Sequence, residues 1–167
     1  RPLGGYESAP DSYAVVIDPS GATCTSTDLS CSISALPRGA SYTVSVSATN
    51  SAGTGSAATV KVNIPAVIPA PPTGVTAYPT NTGAVLLWNA VPDSGAPVTY
   101  AVASTPKSGG CRSSQPRCTV VGLKSSTKYT FTVTAFNRLG KSKASPNTWA
   151  VYPGKPDCSP RDHKYAG

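Results

Sequence analysis

The chain has 167 residues, with 15 Gly, 17 Pro, only 13% charged residues and a formal net charge of +7. That length holds one large domain or two small ones, and low charge with abundant Gly, Pro, Val, Thr, Ser and Tyr argues for short strands and turns and against helices. No apolar run approaches 18 residues, so no membrane insertion through a helix is expected. The chain starts at Arg1 and lacks Met. It is therefore expected not to be an intact translation product, any signal peptide having been removed or lying outside it.

The charge is uneven. Residues 1–65 carry three Lys/Arg against four Asp/Glu, and residues 66–167 carry eleven against three. A basic half either attracts polyanions or only solubilises the surface, and the composition leaves both open.

In chain order, residues 1–12 read as loop and Tyr13–Ile17 as a strand with Tyr13, Val15 and Ile17 on one face. Asp18–Ser30 reads as a turn-rich excursion, Cys31–Leu36 as a strand closed by Leu36, and Pro37–Ala40 as a turn. Tyr42–Asn50 alternates strictly, so Tyr42, Val44, Val46 and Ala48 share one face. Asn50–Gly55 is a hairpin turn, because Asn and Gly tolerate positive φ, and Ala57–Ile64 is the next strand. Pro65–Pro72, PAVIPAPP, reads as an extended semi-rigid linker. Strands are then predicted at Val75–Tyr78, Ala84–Trp88, Thr99–Ser104, Cys118–Leu123, Lys128–Asn137 and Ala144–Tyr152, with an edge strand somewhere in 105–117. Trp88 is the expected central aromatic of that core. Residues 153–167 have no periodicity and read as a tail or the start of a further domain.

Residues 13–53 repeat at 100–140 with a constant offset of 87, and 14 of 41 positions are identical. No insertion or deletion intervenes, so two copies of one domain are expected: 1–64, N-terminally incomplete, and 73–152, complete. Cys24 and Cys31 stand in register with Cys111 and Cys118. Matched short pairs predict two local disulfides and an oxidising compartment. A zinc site is disfavoured, because the spacing is wrong for a Cys-x-x-Cys knuckle and no His accompanies either pair. Cys158 is left over, either deprived of its partner by truncation or poised for an intermolecular bridge.

Trp88, Tyr100, Val102, Gly122-Leu123 and Tyr129-x-Phe131-x-Val133-x-Ala135-x-Asn137-x-x-Gly140 together resemble the fibronectin type III domain, and the first copy matches from Tyr13 onward. The resemblance implies an all-β fold of two immunoglobulin-like β-sandwiches in tandem, the first lacking its first two strands. It puts Tyr42 and Tyr129 at tyrosine corners beside Leu36 and Leu123. The cysteine pairs make the chain similar to disulfide-containing variants in bacterial, algal or protist surface and secreted proteins.

Catalysis needs titratable or nucleophilic groups held together. Here the only His, His163, lies in the aperiodic tail, Glu7 is the only Glu, and Asp93 is the one acid within the second predicted sandwich. No phosphate loop, dinucleotide turn or calcium loop occurs, so neither an enzyme, a cofactor nor a metal is expected. Lys107, Arg112, Arg117, Lys124 and Lys128 are expected to share one pole and form a candidate anion-binding surface, with Arg138, Lys141 and Lys143 at the other. Nucleic acid is an unsuitable partner, because base-stacking aromatics are not interleaved.

The resemblance implies an extracellular structural or adhesive module, spacing or assembling a cell-surface, virion or filament structure through protein or glycan contacts. The alternative is an accessory non-catalytic segment of a secreted carbohydrate-active enzyme. Expected partners are other copies of the chain or neighbouring domains of a longer one, with an anionic glycan as a further candidate. In the first copy Tyr13, Val15, Ile17, Val44 and Val46 are expected to have part of their cover missing. The missing strands would come from a longer array, or in trans from residues 153–167 of the next copy, which would build a head-to-tail filament.

Overall fold

The computed structural model describes residues 9–154. Cys158, His163 and most of the predicted tail lie outside the described residues. The chain divides into unit 1, Arg1–Ala66, and unit 2, Val67–Gly167. All regular structure among the described residues is β-strand.

Unit 1 contains β1 (Ser12–Asp18), β2 (Ala22–Ser26), β3 (Ala40–Asn50), β4 (Gly53–Thr54) and β5 (Ala58–Ile64). They form one antiparallel sheet in the order β2-β1-β3-β4, with β5 also paired to β3. The alternation in β1 and β3 sets the register: Val15 faces Val46 and Ile17 faces Val44 across the ladder. At the hairpin the Asn50 side-chain carbonyl accepts the Ala52 N–H at 3.0 Å, and Gly53 takes a φ of +132° that a side chain would resist.

Unit 2 contains β6 (Thr73–Pro79), β7 (Gly83–Asn89), β8 (Thr99–Thr105), β9 (Gly110–Ser113), β10 (Arg117–Val121), β11 (Thr130–Asn137) and β12 (Gly140–Lys141). Two antiparallel sheets, β10-β7-β6 and β12-β11-β8-β9, enclose the core. Ala84, Leu86, Trp88 and Val120 come from one sheet, and Tyr100, Val102, Phe131, Val133 and Ala135 from the other. Trp88 meets Tyr100 edge-on at 5.2 Å between ring centroids. The edge strand anticipated in 105–117 is β9. Val67–Pro72, six of the eight residues of the predicted linker, packs within unit 2. The Val67 N–H donates to the Ser94 carbonyl, the Asn137 amide donates to the Val67 carbonyl at 2.7 Å, and Pro69 and Pro72 are buried.

Three expectations need correction. Cys31–Leu36 is not a strand, and Leu36 is only half-buried where its counterpart Leu123 is buried. The reason is the ladder. In unit 2 the equivalent strand β10 pairs with β7, and the described residues of unit 1 hold no counterpart of β7. Without a partner for its N–H and C=O groups, the segment gains nothing from extending. The excursion at Asp18–Ser30, by contrast, contains β2, because β1 offers it an edge.

Ala144–Tyr152 is not a regular strand either. The N–H groups of Ser142, Ser145 and Thr148 donate to the carbonyls of Ala135, Val133 and Phe131 at 2.8–2.9 Å. The hydroxyls of the same three residues accept the N–H groups of those β11 residues at 3.0–3.1 Å. Three residues of this segment therefore accompany every two of β11, and side-chain oxygens stand in for backbone carbonyls. In unit 1 the corresponding residues by the 87-residue offset are Gly55, Ala58 and Lys61, without hydroxyls, and β5 follows an ordinary ladder.

Two measurements check this account. Ser145→Ala leaves the buried Val133 N–H without its acceptor, so it should cost unit 2 about 1–3 kcal/mol in denaturant unfolding, while exposed Asn147→Ala should cost little. In unit 1, Ala35 holds a φ of +63° where the equivalent Gly122 holds +75°. Ala35→Gly should therefore stabilise unit 1 by roughly 1 kcal/mol, read from hydrogen exchange of β1 and β3.

Candidate functional site

The candidate site is the apolar face of unit 1. Period two puts Tyr13, Val15 and Ile17 of β1 beside Val44 and Val46 of β3, and Val60 and Val62 of β5 continue the rows. Ile17 and Tyr42 are buried, but Tyr13, Val15, Val44 and Val46 are only half-buried, and Val60 is 57% exposed. Their counterparts Tyr100, Val102, Phe131 and Val133 in unit 2 are all buried under the second sheet. Over the unit 1 face lies an open groove of about 400 Å³, walled by Tyr13, Val15, Val44 and Val46 on the sheet side and by Asp28, Leu29 and Cys31 on the loop side. Leu29, at the lip, is 90% exposed.

The loop side is held by a disulfide. Cys24 on β2 is bonded to Cys31, with 6.4 Å between their Cα atoms. The bond pins the strandless 31–36 segment beside the sheet. Cys111 on β9 is bonded to Cys118 on β10, with Cα atoms 6.2 Å apart. Because β9 and β10 belong to different sheets, this second bond joins the edges of the sandwich.

Both tyrosine corners are present, with opposite polarity. Lys124 N–H donates to the Tyr129 hydroxyl oxygen at 3.3 Å. At the equivalent place in unit 1 stands Pro37, which has no N–H, and the Tyr42 hydroxyl instead donates to the Pro37 carbonyl at 2.8 Å. Hydrogen bonds from the Ser108 hydroxyl first, and then from the Lys124 N–H, hold the Tyr129 pKa below its ordinary 10.0.

The five cations expected at one pole are split. Lys107, Lys124 and Lys128 lie in the loops around the Tyr129 hydroxyl, where β8 ends and β11 begins. Arg112 stands toward the other end, its guanidinium 5.7 Å from the centroid of the Phe136 ring. Arg117 opens β10 opposite Leu87. The cause is direction: β9 runs away from the Lys107 loop and β10 runs back, so the hairpin between the two cysteines projects toward Asn137. Asp93, the acid inside the sandwich, caps its own turn by accepting the Gly95 N–H at 2.8 Å. No three of His, Cys, Asp and Glu converge among the described residues.

Sequence reasoning missed one conspicuous residue. Trp149 is 85% exposed on the segment misread as a strand. The signal was available as Ser142-x-x-Ser145-x-x-Thr148, a period of three that turns Trp149 outward, whereas a period of two does not.

The fold is that of an all-β sandwich protein. The Fibronectin type III domain profile matches residues 70–150, which is the sandwich of unit 2. No curated protein matches the chain. Among solved structures, the chain is similar to a run of domains from titin, with 28% identity and a TM-score of 0.47, over 66% of this chain and 40% of that one. It is also similar to the FN1–FN3 domains of chicken CNTN1, with 21% identity and a TM-score of 0.46, over 92% of this chain and 60% of that one. The chain thus spans less than two thirds of the length of either structure.

Replacing Cys111 and Cys118 together by Ser should lower the stability of unit 2 by about 2.5 kcal/mol in the loop-closure account. Calorimetry of the double variant checks it, and an unchanged unfolding transition would show that the sheet edges hold without the bond.

Proposed function

We propose that this chain is an extracellular structural and adhesive module without catalytic activity. Unit 2 serves as a self-sufficient spacer and unit 1 as an assembling element. Unit 1 is read as a second fibronectin type III-like sandwich whose facing strand pair comes from another copy or from a neighbouring domain of a longer protein. The observation that carries this reading is the half-covered face of Tyr13, Val15, Val44 and Val46, set against the covered face of identical register in unit 2. Burying such a side chain fully from an exposed state is worth about 1.5–3 kcal/mol, and these half-buried ones have part of that still to gain, so the open face favours association. The covering element should resemble β6–β7, with alternating apolar residues ending in an aromatic opposite Tyr13, and it should give Cys31–Leu36 the ladder it lacks. Two disulfides suit an oxidising exterior.

Light scattering of the full chain over a concentration series tests the reading. Mass should rise with concentration, binding of an apolar dye should fall in parallel, and Val46→Asp should abolish assembly while the near-ultraviolet signal of Trp88 stays. A chain that remains monomeric at all concentrations and binds no dye would overturn it.

A further inference from the structure

The segment after β12 repeats one relation to β11 every three residues, through Ser142, Ser145 and Thr148. Residues one place further on therefore form a second row related by the same repeat: Lys143, Pro146 and Trp149, extended by Tyr152. Each step along that row equals two residues of β11, about 6.6–6.8 Å. The members are all exposed, Trp149 at 85%. A tryptophan is usually among the more deeply covered residues, and one this exposed costs solubility without contributing to the core. The backbone beneath it is fixed, because the three hydroxyls are buried and each accepts an N–H of β11. Those of Ser142 and Ser145 also donate, to the carbonyls of Lys143 and Pro146 at 2.7 and 2.9 Å. The row is thus a rigid track whose aromatic members lose little freedom on binding.

Charge defines the ligand. Lys143 begins the track, Lys141 lies just before it, and Lys128 precedes Tyr129, which pairs with Val151 at the other end. Asp93 is the one acid of unit 2 among the described residues, and it is engaged in its own turn. A partner must offer flat apolar faces at short intervals together with negative charge. A uronic acid polysaccharide has both: the C–H face of each sugar ring rests on an indole or phenol ring, whose π-face is electron-rich, and each carboxylate meets a lysine.

We propose that Lys143, Pro146, Trp149 and Tyr152 form a binding track for an acidic polysaccharide of the uronate class. The track rests on the reading of the chain as an extracellular contact module, but it does not depend on assembly through unit 1. The measurement is titration of the full chain with oligogalacturonate, and with a neutral malto-oligosaccharide of equal length, following tryptophan fluorescence and heat. Trp88 is buried, so the optical change reports Trp149. Oligogalacturonate should bind at least tenfold more tightly than the neutral chain and weaken as salt rises. Trp149→Ala should weaken it at least tenfold, Lys143→Ser about threefold, and Lys61→Ser, on β5 of unit 1, should leave it unchanged. Near-ultraviolet circular dichroism of the Trp149 variant confirms that the sandwich is intact. Binding that survives Trp149→Ala, equal binding of the neutral oligosaccharide, or a preference for an extended proline-rich peptide would overturn the proposal. Normal assembly in light scattering alongside any of these results would leave the structural role standing and remove only the track.

Discussion

Phe131 and Val133 are shielded from water because a second sheet lies on them, and everything else in unit 2 follows from that cover. A sheet with one apolar face is stable only when that face is packed, and the gain comes from area removed from water on both layers at once. The same cover decides backbone order. β10 exists as a strand because β7 lies beside it, and β7 is held there because Leu86 and Trp88 are buried against Tyr100 and Val102. Unit 1 carries nearly the same apolar rows without the second layer. Its 31–36 segment loses its strand, Leu36 moves to half-burial and a groove opens over Val44 and Val46.

Unit 1 remains ordered through local devices. The Cys24–Cys31 bond ties the unpaired segment to β2, the Tyr42 hydroxyl ties the following turn to Pro37, and β5 adds a full ladder to β3. Each acts over a few residues and needs no distant surface. They explain how a single sheet keeps its shape while one apolar face stays half-covered.

The two ends of the repeat diverge for chemical reasons. Both begin the final segment with the same hydrogen bond, from Gly55 N–H to Ala48 and from Ser142 N–H to Ala135. Hydroxyls at 142, 145 and 148 let side chains replace every second carbonyl, so the backbone of unit 2 advances three residues for each two of β11. Gly55, Ala58 and Lys61 have no such oxygen, and unit 1 keeps one residue for one. That difference presents Lys143, Pro146 and Trp149 as an outward row in unit 2 alone.

Strict alternation, turn residues and the 87-residue offset were enough to read β1, β3, β7, β8 and β11, the all-β class and the pairing partners of four cysteines, because these depend on neighbours two to seven residues apart, and the resemblance to the fibronectin type III domain pointed to the tyrosine corners. The half-covered face was legible as well, since the offset shows what unit 2 has there. Other features depend on contacts distant in sequence. Whether Cys31–Leu36 extends depends on a strand elsewhere. Whether Lys107 and Arg112 share a pole depends on the direction of β9 and β10, and five cations close in sequence were thereby sent to different ends. The period of the last segment depends on which atoms accept the N–H groups of β11. Ser and Thr there read equally well as ordinary strand residues until the opposing strand is in place, because a hydroxyl becomes a substitute carbonyl only when a buried N–H faces it.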